Sequence, residues 1–209
     1  MKPIILIHAT PQDQKRGIVQ AIRNTWVHEW GDLIPHRFIY DRTFPFRPID
    51  DEEVFDVEPG YWVMMEKTKA ACQWALNRDY THVFVICSDT YVVVPRLLKS
   101  GYADHDYSGH RADEGHAGGG CGYWLSVPAM QAVIRWPTYA DYEDRWVGVA
   151  CGGAGIQCFH DPRYWGYVHP WLEGIITVHL HQGDGMFNPI DLLNLHDNFL
   201  VEGDIPCEH

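Results

Sequence analysis

Apolar residues keep two different rhythms along the first hundred positions. Residues 3–10, PIILIHAT, and 81–87, THVFVIC, are nearly unbroken apolar runs of strand length, the pattern of strands covered on both faces. HRFIYDR, 36–42, reads as another strand between them. The stretch 14–26, QKRGIVQAIRNTW, instead spaces Ile18, Ile22 and Trp26 by four, with Val19 beside them, and predicts one helix. Residues 61–79, YWVMMEKTKAACQWALNRD, predict a helix of about five turns with Met64, Thr68, Cys72 and Leu76 on one side. The acidic, Pro-bounded stretch 45–60 between them reads as a surface loop, and VPRLLKSG, 94–101, as a helix with Pro near its start and Gly at its end. Strand and helix alternate, so the expected fold class is α/β, a sandwich with a mainly parallel central sheet flanked by helices.

In such sheets ligands gather at the carboxyl ends of the strands. Residues 83–95, VFVICSDTYVVVP, place Asp89 where the third strand runs out, in the middle of β-branched residues. An isolated carboxylate there costs several kcal/mol unless it is protonated, paired or bound to a metal. Asp89 is therefore either a turn residue capping the next segment or a ligand for a divalent cation that in turn holds the phosphates of a nucleotide.

The second half changes character. Gly, Trp and His concentrate in GHAGGGCGYWLS, CGGAGIQCFHDPRYWGYVHPW and ITVHLHQGDG, which read as loops and short strands rich in binding groups. With 209 residues, 46% of them hydrophobic, and nine Trp, the chain suits one folded domain rather than disorder. A net charge of −12 argues against binding nucleic acid mainly by electrostatics, though a local basic groove stays open. None of the six cysteines forms a C-x-x-C pair, so buried, reduced thiols are expected rather than a zinc–thiolate site. The five apolar residues before His8 are too few for a signal-peptide core or a membrane span, so a soluble, cytoplasmic protein without membrane contact is expected. The absence of a glycine-rich phosphate loop leaves a kinase or dinucleotide-binding reading without support.

Five blocks, in order, carry a family resemblance. MMEKTKAACQWALNRDYTHVFVICSDTYVVVPRLL resembles the segment of core 1 β1,3-galactosyltransferases and fringe enzymes in which a K-T-K/R helix leads into a strand ending D-D-D-T-Y-V-V. AIRNTW (21–26) is similar to the family's I-R-x-T-W, GGCGYWLS (119–126) to its G-G-x-G-Y-x-L-S, YEDRWVGVACGGAGI (142–156) to its E-D-V-x-x-G, and ITVHLHQGDGM (176–186) to its late V-S-F-H-Y-V. The resemblance implies a GT-A fold: one domain over 1–209, with a nucleotide-sugar half (1–100) and an acceptor and catalytic half (101–209). It also implies a metal-dependent, inverting transfer of a glucose-, galactose- or GlcNAc-type sugar from a UDP-sugar, with Mn²⁺ or Mg²⁺ as cofactor.

Carried over residue by residue, Asp89 takes the metal-binding acid position and His179 the late metal-binding His; Mn²⁺ accepts imidazole as well as carboxylate. His181 points to the same face as His179 in an extended HLH and is either a further ligand or an ordinary strand histidine; His160 is a reserve. Cys87 and Ser88 stand where the family has two more acids, which puts metal strength and donor sugar in question. Asp144 matches the catalytic base that takes the acceptor hydroxyl's proton, with Glu143 the close alternative; read alone, DYEDR is a solvated turn with Arg145 as ion-pair partner. Ala9, Thr10 and Lys67 join the donor-binding set, and Arg16 and Arg23, seven residues apart, are expected to share a helix face toward base or diphosphate. Gly119, Gly120, Cys121, Gly122, Tyr123 and Trp146 are expected around donor sugar and acceptor, the glycines because a side chain would block the approach. Among Trp62, Trp124, Trp146, Trp165 and Trp171, one or two stack on ligand and the rest are core. The acceptor is a glycan, a small metabolite or, as an alternative, a hydroxymethylated pyrimidine base of DNA extruded into the site. A second class stays open: a protein that binds nucleotide-sugar without turning it over.

Overall fold

The computed structural model describes residues 1–112, 114–139, 141–165, 174–180 and 187–201. In chain order the elements are β1 (Pro3–His8), α1 (Pro11–Lys15), α2 (Ile18–Asn24), α3 (Trp26–Trp30), β2 (His36–Tyr40), β3 (Glu52–Val54), α4 (Met64–Leu76), β4 (His82–Cys87), β5 (Thr90–Val92) and α5 (Val94–Leu98). They continue with β6 (Tyr107–Gly109), β7 (Tyr123–Ser126), α6 (Val127–Arg135), α7 (Glu143–Gly153), β8 (Phe159–His160), β9 (Tyr164–Trp165), β10 (Thr177–His179) and α8 (Pro189–Val201).

Seven strands form the central sheet in the order β3-β2-β1-β4-β7-β6-β8. The neighbours β3, β2, β1 and β4 are parallel, and β7 alone runs against them, antiparallel to both β4 and β6. Ile4 to Ile7 of β1 have no exposed surface, because both faces of the sheet are covered. Side chains alternate across the strand, so Ile5 and Ile7 pack with α2, α3 and α8, while Ile4 and Leu6 pack with α4, α6 and α7. The apolar run of a parallel strand is thus two interleaved half-patterns serving two cores.

Two local expectations change. The single helix over 14–26 is broken: Gly17 adopts φ 78°, ending α1, and Thr25 separates α2 from α3. Thr10 starts α1 through a capping box with Asp13. The loop over 45–60 contains β3, whose Glu-Glu-Val sequence lacks strand alternation; it lies at the sheet edge, where Glu52 is held by Arg23 instead of by apolar packing.

The stretch that reads as one interrupted strand is two. β4 ends at Cys87, the chain turns at Ser88 and Asp89, and β5 leaves for a second, three-stranded sheet of order β5-β10-β9, with β10 antiparallel to β5. Asp89 therefore sits at the seam between two sheets, at the carboxyl end of β4. Among the described residues, no helix is long and apolar enough to cross a membrane.

Candidate functional site

The seam brings together residues ninety positions apart. His179 faces Thr90 in the β5–β10 register, and the Leu180 N–H donates to the Asp89 carbonyl at 2.8 Å. This places His179 Nε2 3.2 Å from Asp89 Oδ2. The other carboxylate oxygen, Asp89 Oδ1, is buried and has no hydrogen-bond partner among the described residues. A buried, unsatisfied anionic oxygen beside an imidazole fits a cation ligand. Among the described residues no three His, Cys, Asp or Glu side chains group to hold a metal ion. His181 lies outside the described residues. His160 is spent elsewhere, at the β8 edge, accepting the Arg111 N–H and packing on His110.

The glycine run explains why the imidazole reaches its place. A Cβ at Gly120 would stand 2.5 Å from His179 Cε1, so the ring lies directly on the backbone there. Thr90 Oγ1 donates to the Gly120 carbonyl at 2.9 Å, and Thr177 Oγ1 to that of Cys121 at 2.6 Å, pinning the turn onto the small sheet. The Gly119 N–H donates to Asp144 Oδ2 at 2.8 Å. Asp89, His179, Gly119, Gly120 and Asp144 thus form one continuous patch.

Glu143 and Asp144 open α7 and part ways. Asp144 is half-buried and borders an open pocket of about 410 Å³ with His116 and Tyr142. Glu143 points into the core, where its Oε1 accepts from Thr68 Oγ1 at 2.6 Å and from the Tyr123 hydroxyl at 2.5 Å. Thr68 in turn takes a hydrogen bond from His8 Nε2 at 3.0 Å. Glu143 thus lies buried behind Thr68 and Tyr123, outside the lining of the open pocket that Asp144 borders. Burial pushes its pKa up to about 7, against the opposing hydrogen bonds from Thr68 and Tyr123. Its folded pKa lies above the ordinary carboxylate value of 4.5. The associated stability is therefore fully present below about pH 4.5 and is lost as pH rises through about 7. Glu143→Gln keeps an oxygen for both hydroxyls and removes the titration. Its melting temperature is expected to gain on wild type between pH 5 and pH 8, by an amount corresponding to about 3 kcal/mol; a parallel pH–melting series for the two proteins would show the Glu143 titration to be absent.

At the carboxyl ends of β1 and β2 a separate pocket of about 190 Å³ is lined by Thr10, Asp41, Glu58, Gly60, Tyr61, Met64 and Lys67. Lys67 donates to the Ala9 carbonyl at 3.1 Å, and burial lowers its pKa while Asp41 and Cys87 raise it. Burial and the Asp89 charge raise the Cys87 thiol well above its ordinary value, so it stays protonated. Ser88 is buried, its N–H on the His8 carbonyl.

Several residues expected at the ligand are buried or engaged with other partners. Ala9 is fully buried and offers no side-chain surface. Arg16 and Arg23 share no face, because Gly17 breaks the helix between them: Arg16 donates to the Phe187 carbonyl, and Arg23 pairs with Asp51 and Glu52 at 2.8 Å. Tyr123 and Trp146 are core residues, Tyr123 bound to Glu143 and Trp146 to the Pro137 carbonyl. Cys121 is buried too, its thiol pushed up to about 12 by burial and Asp144. Gly122, at φ 81°, exists for packing: a Cβ there would be 2.5 Å from Phe84. Trp124 is buried as well, and Trp171 lies outside the described residues, whereas Trp62 is exposed and forms a cluster with Tyr61 and Tyr142, ring centroids 5.4–6.1 Å apart. Asp41 and Tyr142 escaped the sequence reading, although Asp41 follows a strand end as Asp89 does.

The seven-stranded, mostly parallel sheet flanked by helices has the GT-A fold of nucleotide-diphospho-sugar transferases. A glycosyltransferase involved in glycosylating the major capsid of PBCV-1 superposes with TM-score 0.55 at 14% identity, covering 96% of this chain and all of that one. The catalytic domain of Drosophila β1,4-galactosyltransferase 7, in complex with xylobiose, aligns at TM-score 0.50 and 12% identity over 94% of this chain and 80% of its own. A mutant of the same enzyme, in complex with manganese, UDP-Gal and xylobiose, gives 0.51 at 12% identity over 92% and 79%. No protein-family model and no curated protein sequence matches the chain.

Proposed function

We propose that the chain is a divalent-cation-dependent, inverting glycosyltransferase that moves a hexose-type sugar from a UDP-sugar to a hydroxyl acceptor. The observation that carries this is the convergence of Asp89, His179 and Asp144 through Gly119 and Gly120 at the carboxyl end of β4. The relatives in fold are glycosyltransferases, one of them seen with manganese and UDP-Gal. The five sequence blocks shared with the core 1 and fringe enzymes support the same reading.

Asp89 and His179 would hold Mn²⁺ or Mg²⁺, which supplies positive charge to the departing diphosphate. The pocket of Thr10, Asp41, Tyr61 and Lys67, at the carboxyl ends of β1 and β2, would take part of the nucleoside. Asp144, facing open space, takes the proton of the acceptor hydroxyl as its oxygen forms the new bond to the anomeric carbon and the bond to UDP breaks. The Gly119 N–H fixes the orientation of that carboxylate without neutralising it. Residues 1–100 serve the donor, joined there by His179, and 101–209 otherwise serve the acceptor and the base. The carboxylates about the site, Asp41, Glu58, Glu114 and Asp144, favour a neutral acceptor over a DNA phosphodiester backbone.

A panel of UDP-sugars with Mn²⁺, with and without chelator, tests this through UDP release. Cation-dependent hydrolysis of at least one donor is the expected result; absence of both hydrolysis and any UDP-induced thermal shift overturns the reading.

A further inference from the structure

Beside Asp144, the open pocket of about 410 Å³ continues into a second of about 450 Å³, the two sharing Glu114, His116 and Arg145. The second pocket runs along α7 to Gln157 and Cys158. Each alone is within the ~300–1,000 Å³ that encloses a small ligand, so together they exceed one sugar ring.

The floor of this groove contains two glycines of α7, one turn apart on one face. Gly148 has a packing reason: a Cβ there would collide with His116 Cβ, because His116 rests on the helix at that point. Gly152 has none. Among the described residues a Cβ on it would meet nothing within 4 Å, and its φ is not in the left-handed region that favours glycine at a helix end. Glycine in a helix costs about 0.5–1 kcal/mol relative to Ala, and here the fold gives nothing back for it. Open groove space does.

The chemistry of the walls narrows the occupant. Arg145 is neutralised by Glu114 at 2.6 Å and Asp141 at 3.7 Å. Arg111 also lines the second pocket, so over the two pockets Arg111 and Arg145 stand against Glu114 and Asp144, and with a chain charge of −12 the groove has no net positive charge for a polyanion. Planar polar side chains, Glu114, Arg145 and Gln157, stand among small and aliphatic ones such as Val149 and Ile156. That mixture suits the hydroxyl pairs and apolar faces of neutral sugar rings.

We propose that the acceptor is an extended neutral oligosaccharide, its reacting residue at Asp144 and at least two further residues lying along α7 over Gly152. This rests on the transferase reading above and adds the acceptor's class and direction. The test uses immobilised neutral glycans of one to six residues, probed with the whole chain in the presence of UDP and Mn²⁺, and UDP release from a UDP-sugar measured in parallel.

Wild type is expected to retain glycans of three or more residues at least tenfold better than monosaccharides. Gly152→Trp is expected to abolish that preference while leaving UDP release and melting temperature unchanged; Gly152→Ser, which leaves the groove open, should behave as wild type. Retention insensitive to Gly152→Trp, equal retention of all lengths, no retention at all, or preferential retention of a DNA oligonucleotide or a peptide would each overturn the groove assignment. If Gly152→Trp melts lower, Gly152→Phe decides by the same criterion. Failure of UDP release in wild type defeats the donor reading instead, and the array still judges the groove on its own.

Discussion

Asp144→Asn is expected to lower the rate of sugar transfer by about 10²–10⁴-fold, the range for loss of a positioned general base, while leaving the thermal shift produced by UDP and Mn²⁺ unchanged. The substitution is conservative where structure is concerned. An Asn oxygen can still accept the Gly119 N–H, whose 2.8 Å bond ties the α7 start to the glycine turn. The amide cannot take a proton from an attacking hydroxyl. Because Asp144 touches neither the pocket of Thr10, Asp41 and Lys67 nor Asp89, donor binding has no reason to change. UDP release and product formation from the same reaction mixtures give the test. A rate within twofold of wild type would remove Asp144 from the chemistry, and Glu143 would not replace it: that carboxylate is 7% exposed and holds two hydroxyls on one oxygen.

The choice between these two acids marks where sequence stops being informative. Consecutive residues in a first helical turn point about 100° apart, so one faces the core and the other the cleft. Nothing in YED says which. Burial decides, and burial is a property of Thr68 and Tyr123, seventy-five and twenty residues away. The position of Asp89 at a strand end was legible, because the β-branched run breaks at Ser88 and Asp89, but the run alone leaves a turn cap and a cation ligand equally open. Its partnership with His179 came only by family resemblance, since an antiparallel pairing across ninety residues leaves no local periodicity. The arginines failed for a local reason that was visible in principle: Gly17 stands between Arg16 and Arg23, and a glycine is where a helix can stop in the left-handed region. Trp146 and Tyr123 failed for a general one, because large aromatics fill cores more often than they meet ligands. The β3 edge strand, with two Glu in three residues, has no strand signal at all and exists because Arg23 and the β2 edge offer it partners.

Asp89→Asn should separate binding from stability in a way no merely structural acid would. Without metal, the melting temperature is expected to hold or rise, because Asp89 Oδ1 is buried and unpartnered among the described residues and an uncharged amide is less costly there. With UDP and Mn²⁺ the thermal shift seen for wild type is expected to vanish, and cation-dependent UDP release to fall by about 10³-fold or more, since the charge set against the leaving diphosphate is worth several kcal/mol. His179→Ala is expected to lose the same shift. The double variant should be no worse than either alone, as residues 3.2 Å apart acting on one ligand are non-additive. Gly120 gives an independent check: Gly120→Ala puts a methyl 2.5 Å from the His179 ring and forces the imidazole off Asp89, so it should reproduce the His179→Ala defect with every ligand atom still present. A shift by UDP and Mn²⁺ that survives Asp89→Asn would mean that the buried carboxylate only ends a strand.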